Sequence, residues 1–509
     1  MFVDSTRRRL WDQLREHDGR LLGRFLTPPV LQQAARRAGL TLGRHPLHLA
    51  NLVWLGLLAA LYTAKNFADV LTLTLKVLAD HEGFDDTPLG RARRRRPRRR
   101  GPRAKHDPRR DDPTAVSEEA FTKARRLMPL AYWTTLLLLL GERFEAAHGD
   151  RNRWHGLRLL ALDGTCLDLP GWSALRAHYG TAKNAHGRHN VQARLALLQF
   201  PLTRLPCAYE VAPLSVGEVT LAGRLLGQLR PADLVLFDRG FFSYGLFWQV
   251  HNRQAFFAVR LRAGLCLRRL RRLGPGDELV RWRPKDSRGQ WRKQGLPRSI
   301  DLRLLRYRVP GYRAGALVTN LTDPGRVRWE DWVGLAAGAE AGRPLQPGLY
   351  RRRWEIETTF FELKVSQGLE GGIRSRTPAG VEYEIAGHVV LYLLVRWLLV
   401  EAAAAQGADP LRLSFVEALR EVTDLRPALL TARPSWASSV LWPRLLERLA
   451  SHAVPLRPGR HYPRRREKKA KAPGGRPKQR AAKPKRKQGA AKPKRKQRAA
   501  KPKRKQRAA

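Results

Sequence analysis

The chain has 509 residues, 43% of them apolar, and carries 97 Lys and Arg against 44 Asp and Glu, a net charge of +53. That apolar share excludes a wholly disordered protein, and the length allows two or more domains with a substantial core. A charge excess of this size repels itself in a compact state and calls for a polyanionic partner, nucleic acid ahead of an anionic membrane.

Residues 1–90 read as a helical N-terminal DNA-binding region. FLTPPVLQQAARRAG carries a Pro-punctuated helix start, and an apolar run follows Pro46. Residues 91–115 contain RARRRRPRRRGPRAKHDPRRDDP, too basic and too Pro-interrupted to bury apolar area, and are expected to be a disordered linker. Residues 116–155 are expected to be helical, with a start at Ser117 and a core helix through Leu136 and Leu140 that ends before Gly141.

From Gly156 the period changes. LRLLALDGTCLDLP, VQARLALLQFPLTRLPCAYEVAP and DLVLFDRGFF are short apolar runs bounded by Gly, Pro and Asp, hence strands. GEVTLAGRLLGQLR between the last two reads as a helix, so the order fits a mixed α/β sheet with helices packed on it. Residues 262–348 again look β-rich, and residues 401–455 look helical. Residues 456–509 degenerate into AAKPKRKQ repeats and are expected to be a disordered Lys/Arg-rich tail.

Two apolar runs, residues 47–64 and 385–400, fall short of a clean membrane span of about 20 residues, since the first carries His48 and Asn51 and the second His388 and Arg396. Both are expected to be buried core helices, with no membrane partner. Cys166, Cys207 and Cys266 are far apart and form no C-x-x-C, which supports neither a disulfide framework nor a cysteine zinc site. Together with a start that lacks a secretory pattern, this points to a cytoplasmic, nucleoid-associated protein.

The segment YRRRWEIETTFFELK, residues 350–364, has no Gly or Pro and reads as one helix. At about 100° per residue Tyr350, Arg353, Glu357 and Lys364 share a stripe about 60° wide, while Glu355 and Glu362 fall on the opposite side as ordinary decoration. Asp163 and Asp238 each end an apolar strand run and precede a Gly-containing turn, placing them at the carboxyl edge of a sheet. Taken singly, an Asp there caps a turn and Arg353 with Glu357 is an i, i+4 ion pair. Taken together, three carboxylates on adjacent elements can hold two divalent cations, and hard oxygen ligands without Cys or His suit Mg²⁺ or Mn²⁺. Asp168, before Leu169 and Pro170, reads as a turn residue, and His155 has no evident partner.

Tyr350, Arg353, Glu357 and Lys364 at these spacings match the Y-R-E-K signature, and the chain resembles the DDE transposases of the insertion sequence 4 family. LDGT at 162–165, FDRGFF at 237–242 and LVTNL at 317–321 look like that family's other blocks, in its order. The resemblance implies a ribonuclease-H-like catalytic domain over residues 156–400, interrupted by a β-rich insertion at about 262–348. It implies that Asp163, Asp238 and Glu357 bind two Mg²⁺ or Mn²⁺ ions and are catalytic, and that Tyr350, Arg353 and Lys364 contact the DNA end. The expected protein is a homodimer on DNA, without a small-molecule cofactor, that cleaves and joins strands. A non-catalytic DNA-binding or chromatin-associated protein and a simple metal-dependent nuclease are the alternatives. Well-studied branches of the family carry an aromatic residue just before the L-T-type strand; here Gly315 and Ala316 stand there, with Tyr312 the nearest aromatic.

Overall fold

The computed structural model describes residues 22–41, 49–70, 118–183, 189–286, 289–308, 314–333, 348–425 and 437–455. The Arg-rich segment at 91–115, Ser117, Tyr312 and the tail at 456–509 lie outside them.

Among the described residues, eleven strands form one sheet. They are β1 (Arg153–Trp154), β2 (Leu157–Leu169), β3 (Thr181–Lys183), β4 (His189–Phe200), β5 (Leu205–Pro213), β6 (Asp233–Phe237), β7 (Phe256–Arg260), β8 (Leu267–Gly274), β9 (Asp277–Trp282), β10 (Ile300–Tyr307) and β11 (Gly315–Thr319). The order is β3-β4-β2-β6-β7-β11-β10-β9-β8, with β5 beside β4 and β1 beside β2. Among these strands only the β2–β6 and β6–β7 pairs are parallel. This explains the sequence of β6, DLVLF, in which every residue is buried. A parallel strand is covered on both faces and reads as a continuous apolar run. Burying each such Leu, Val or Phe contributes about 1.5–3 kcal/mol.

The helices used below are α1 (Pro28–Arg37), α2 (Leu49–Leu61), α3 (Glu118–Leu127), α4 (Leu130–His148), α5 (Glu218–Leu225), α6 (Tyr244–His251), α7 (Glu355–Phe361) and α8 (Pro378–Ala405). The helix expected to end before Gly141 instead runs through it to His148. Gly141 is buried, and a Cβ there would meet Cys207 only at ordinary contact distance, so continuous packing outweighs its weak propensity. Among the described residues, α8 alone is long and apolar enough to cross a membrane, and 94% of its most apolar window is buried within the fold. At its crossing with α2 two glycines meet: a Cβ on Gly387 would lie 2.8 Å from the carbonyl oxygen of Gly56. Backbones approach that closely only without side chains, so any larger residue at Gly387 drives the two helices apart. Arg374 fastens the same junction by donating from Nη2 to the carbonyl of Ala59 at 2.8 Å, near the C-terminal end of α2.

Candidate active site

Asp163 and Asp238 are brought together by register. Leu162 pairs with Phe237 in the parallel β2–β6 ladder, and the two aspartates follow those residues directly. Adjacent strands lie about 4.8 Å apart, so both carboxylates sit at the end of the parallel stretch. Asp238 behaves as expected, leaving β6 and capping a short 3₁₀ turn by accepting from Gly240 N at 3.4 Å. Asp163 does not sit in a turn. Strand β2 continues through Gly164 to Leu169, because antiparallel β4 keeps pairing with it after β6 has ended. Asp168 is likewise a strand residue, accepting from Gln192 Nε2 at 2.6 Å and Asn190 Nδ2 at 3.3 Å. His155 occupies the turn before β2 with a φ of 48° and lies 3.6 Å from Asp331.

The segment at 350–364 is helical but not one uniform α-helix. Leu349–Trp354 is 3₁₀, Glu355–Phe361 is α, and Glu362–Ser366 is π-helical. The stripe survives for Tyr350, Arg353 and Glu357, because side chains at i and i+3 eclipse in a 3₁₀ turn, which aligns Tyr350 with Arg353, and i and i+4 align in the α-turn that follows, but it does not extend to Lys364 in the π-helical turn. Tyr350 is buried and donates its hydroxyl to the carbonyl of Phe237 at 2.9 Å, which pins the segment to the end of β6.

Arg353 stands at the centre, only 4% exposed. Its Nη2 lies 2.9 Å from Glu357 Oε1 and 3.8 Å from Asp238 Oδ1, and its Nη1 lies 3.4 Å from Asp163 Oδ2. Three carboxylates thus converge on one guanidinium. Burial opposes the charge on Arg353, but Tyr350, Glu357, Asp238 and Asp163 outweigh it and raise its pKa. Burial also pushes Asp163 up to about 6, partly offset by the Gly164 amide and Arg353 and reinforced by the two neighbouring acids. Lys364 is set apart from this cluster, donating to the Cys166 carbonyl at 2.9 Å and pairing with Glu370 at 3.1 Å.

In charge and donor type the three acids fit a divalent cation, because hard carboxylates around a common cationic point are what Mg²⁺ and Mn²⁺ take. Among the described residues no group of three His, Cys, Asp or Glu side chains closes on an ion position as it stands. The guanidinium is the cation these acids share.

The two glutamates on the opposite side are not both decoration. Glu362 is buried, ion-paired with Arg396 and Arg204, and accepts from Tyr392 Oη at 2.7 Å. Glu355 pairs with Arg204 at 2.6 Å. A fixed wheel angle cannot tell a solvent-facing side from one facing a second layer, and here α8 covers it. Arg204, in the β4–β5 turn with a φ of 58°, was not visible as a site residue. Arg396, a lone charge inside an apolar run, was the available signal that an acid must come to meet it.

A family profile described as Transposase DDE domain matches residues 154–394. The chain is similar to the transposase InsG for insertion sequence element IS4 of Escherichia coli strain K12, at 30% identity over 321 residues, 61% of this chain and 68% of the relative. Among solved structures, a cryo-EM synaptic complex of the piggyBac transposase with hairpin DNA aligns over 86% of this chain and 85% of that one, at 11% identity and a TM-score of 0.33, too low to equate the folds. The profile spans the segment that carries Asp163, Asp238 and Tyr350 to Lys364, and with the InsG relative it places the chain in a family: it belongs to the DDE transposases of the insertion sequence 4 family.

Proposed function

We propose that this transposase cleaves DNA at the ends of its own element and joins the freed 3′ hydroxyl to target DNA, with Asp163, Asp238 and Glu357 as its catalytic acids. The observation that carries the reading is the convergence of those three carboxylates on one cation, Arg353. Packing DNA requires no cluster of acids that would repel its phosphates. The strand arrangement supports a ribonuclease-H-like core: antiparallel β5, β4 and β2 continued by parallel β6 and β7, with helices packed against them.

Asp163, Asp238 and Glu357 would hold two Mg²⁺ or Mn²⁺ ions, whose chemistry when bound is to activate the attacking oxygen and stabilise the leaving one. The remaining work falls to the chain. Tyr350, anchored on the Phe237 carbonyl, fixes the distance between its helix and β6. Arg353 lies among the three acids, where its guanidinium would help neutralise a phosphate of the DNA end. Lys364 adds a second cation one segment further on. Synapsis of two ends calls for a homodimer on DNA.

The test is to incubate the full chain with a plasmid carrying its flanking element in Mg²⁺ and to map products at nucleotide resolution. Cuts at the element ends and strands joined to new sites are expected. Random nicking would favour a nuclease, and shifted but intact DNA a binding protein.

A further inference from the structure

Two guanidinium groups hold the back of the helical segment that carries Glu357. Arg204, in the β4–β5 turn, lies 2.6 Å from Glu355 through Nη2 and 3.2 Å from Glu362 through Nη1. Its Nε donates to the same Glu355 oxygen at 2.8 Å. Arg396 of α8 meets the second oxygen of Glu362, which also accepts from Tyr392 Oη at 2.7 Å. The side chains of Arg204, Glu355 and Glu362 are 12%, 19% and 10% exposed, so the bridge is largely withdrawn from solvent.

Glu355 opens α7 and Glu362 opens the π-helical turn, about two helical turns further on. One side chain that grips both therefore fixes the rotation of the segment as well as its height. On the front, Tyr350 anchors the start of the segment to the Phe237 carbonyl. Among the described residues Glu357 has one ion-pair partner, Arg353 on its own segment. Its direction is thus set by how the helix is turned. At a radius of about 5–6 Å including side chains, a rotation of about 10° moves a carboxylate by about 1 Å. A preorganised site tolerates about 0.5 Å.

The backbone of Arg204 points the same way. Its φ of 58° lies in the left-handed region, where Gly or Asn fits a turn at lower cost than an arginine. Such a conformation persists only where the surroundings hold it, and residues of this kind gather at functional sites. We infer that Arg204 is a positioning residue: by bridging Glu355 and Glu362 across the back of the helix, it sets the rotation that presents Glu357 to Asp163 and Asp238. The inference rests on the reading of those three acids as the catalytic set.

The experiment uses the full chain. Mn²⁺ binding is read from the loss of the free ion's EPR signal, beside cleavage of an element-end duplex over a range of Mg²⁺. Arg204→Gly removes the bridge and eases the turn, and urea unfolding reports its fold. Taken alone, removing a positive charge from the neighbourhood of a cation site strengthens cation binding. The positioning role has the opposite sign: Mn²⁺ affinity about tenfold weaker, and a Mg²⁺ midpoint for cleavage about tenfold higher, at an unchanged folded fraction. Arg204→Lys keeps the charge, but one ammonium does not grip two carboxylates as the planar fork does, so it should fall short of the wild type. Should Arg204→Gly fail to fold, Glu355→Gln leaves Arg204 a single carboxylate and should show the same shifts in smaller measure. Unchanged or tighter Mn²⁺ binding by Arg204→Gly, or wild-type behaviour of Arg204→Lys, would overturn the positioning role and leave the catalytic reading standing, provided the wild type binds Mn²⁺ and cuts. A wild type that does neither would overturn the catalytic reading and the positioning role with it.

Discussion

The guanidinium of Arg353 donates to Glu357 across one helical turn at 2.9 Å, and the same group reaches back to Asp163 on β2 at 3.4 Å. One side chain therefore ties the helix to the sheet where the candidate acids meet. It supplies, in the protein alone, the positive charge that three clustered carboxylates require.

Removing that charge has a defined consequence. In EDTA, Arg353→Ala should lose on the order of 1–3 kcal/mol of stability, because Asp163, Asp238 and Glu357 are left facing one another with no counter-charge. Adding Mn²⁺ should raise the melting temperature of the variant more than that of the wild type, as the ion takes up the place the guanidinium held. A variant as stable as the wild type in EDTA and indifferent to Mn²⁺ would show that Arg353 is no counter-ion to the three acids.

Glu362 and Glu355 should separate cleanly. Glu362→Gln leaves Arg396 charged, buried and without its carboxylate partner, which should cost about 3 kcal/mol in urea unfolding. Glu355→Gln should cost under about 1 kcal/mol, since Arg204 keeps Glu362 at 3.2 Å. Equal and small effects would mean that the layer between the helix and α8 carries no energetic weight.

The stability of the core should also depend on pH through His388. It is wholly buried in α8 with Nδ1 on the Glu384 carbonyl at 2.8 Å, and burial pushes its imidazole down to about 4. The folded protein keeps it neutral while the unfolded chain protonates it near 6.5. Its contribution is therefore complete above about pH 6.5 and declines as pH falls towards 4, by an amount on the order of 2–3 kcal/mol. Urea unfolding of the wild type and His388→Gln between these limits should show the wild type losing more. Parallel curves would contradict the assignment.

Much of this arrangement was legible in the residues. The two apolar runs ending in Asp163 and Asp238 gave the strands, and the spacing of Tyr350, Arg353 and Glu357 gave their common stripe, because both depend on local periodicity. Two features were not legible, and both depend on pairing between distant segments. Asp163 lies mid-strand since β4 continues where β6 stops. Glu362 is buried since α8 covers a side that periodicity alone leaves open. Asp168 was misread for the same reason, a strand extended by its neighbour.

The most direct test of the account is cleavage of element ends in Mg²⁺ by Glu357→Gln beside the wild type, with binding to the same DNA measured in parallel. The Glu357 side chain is 41% exposed at the candidate site, so the substitution should leave the fold and DNA binding nearly intact. The account predicts cuts at the element ends for the wild type and none for the variant at equal DNA occupancy. Cleavage by Glu357→Gln at the wild-type rate and positions would contradict it.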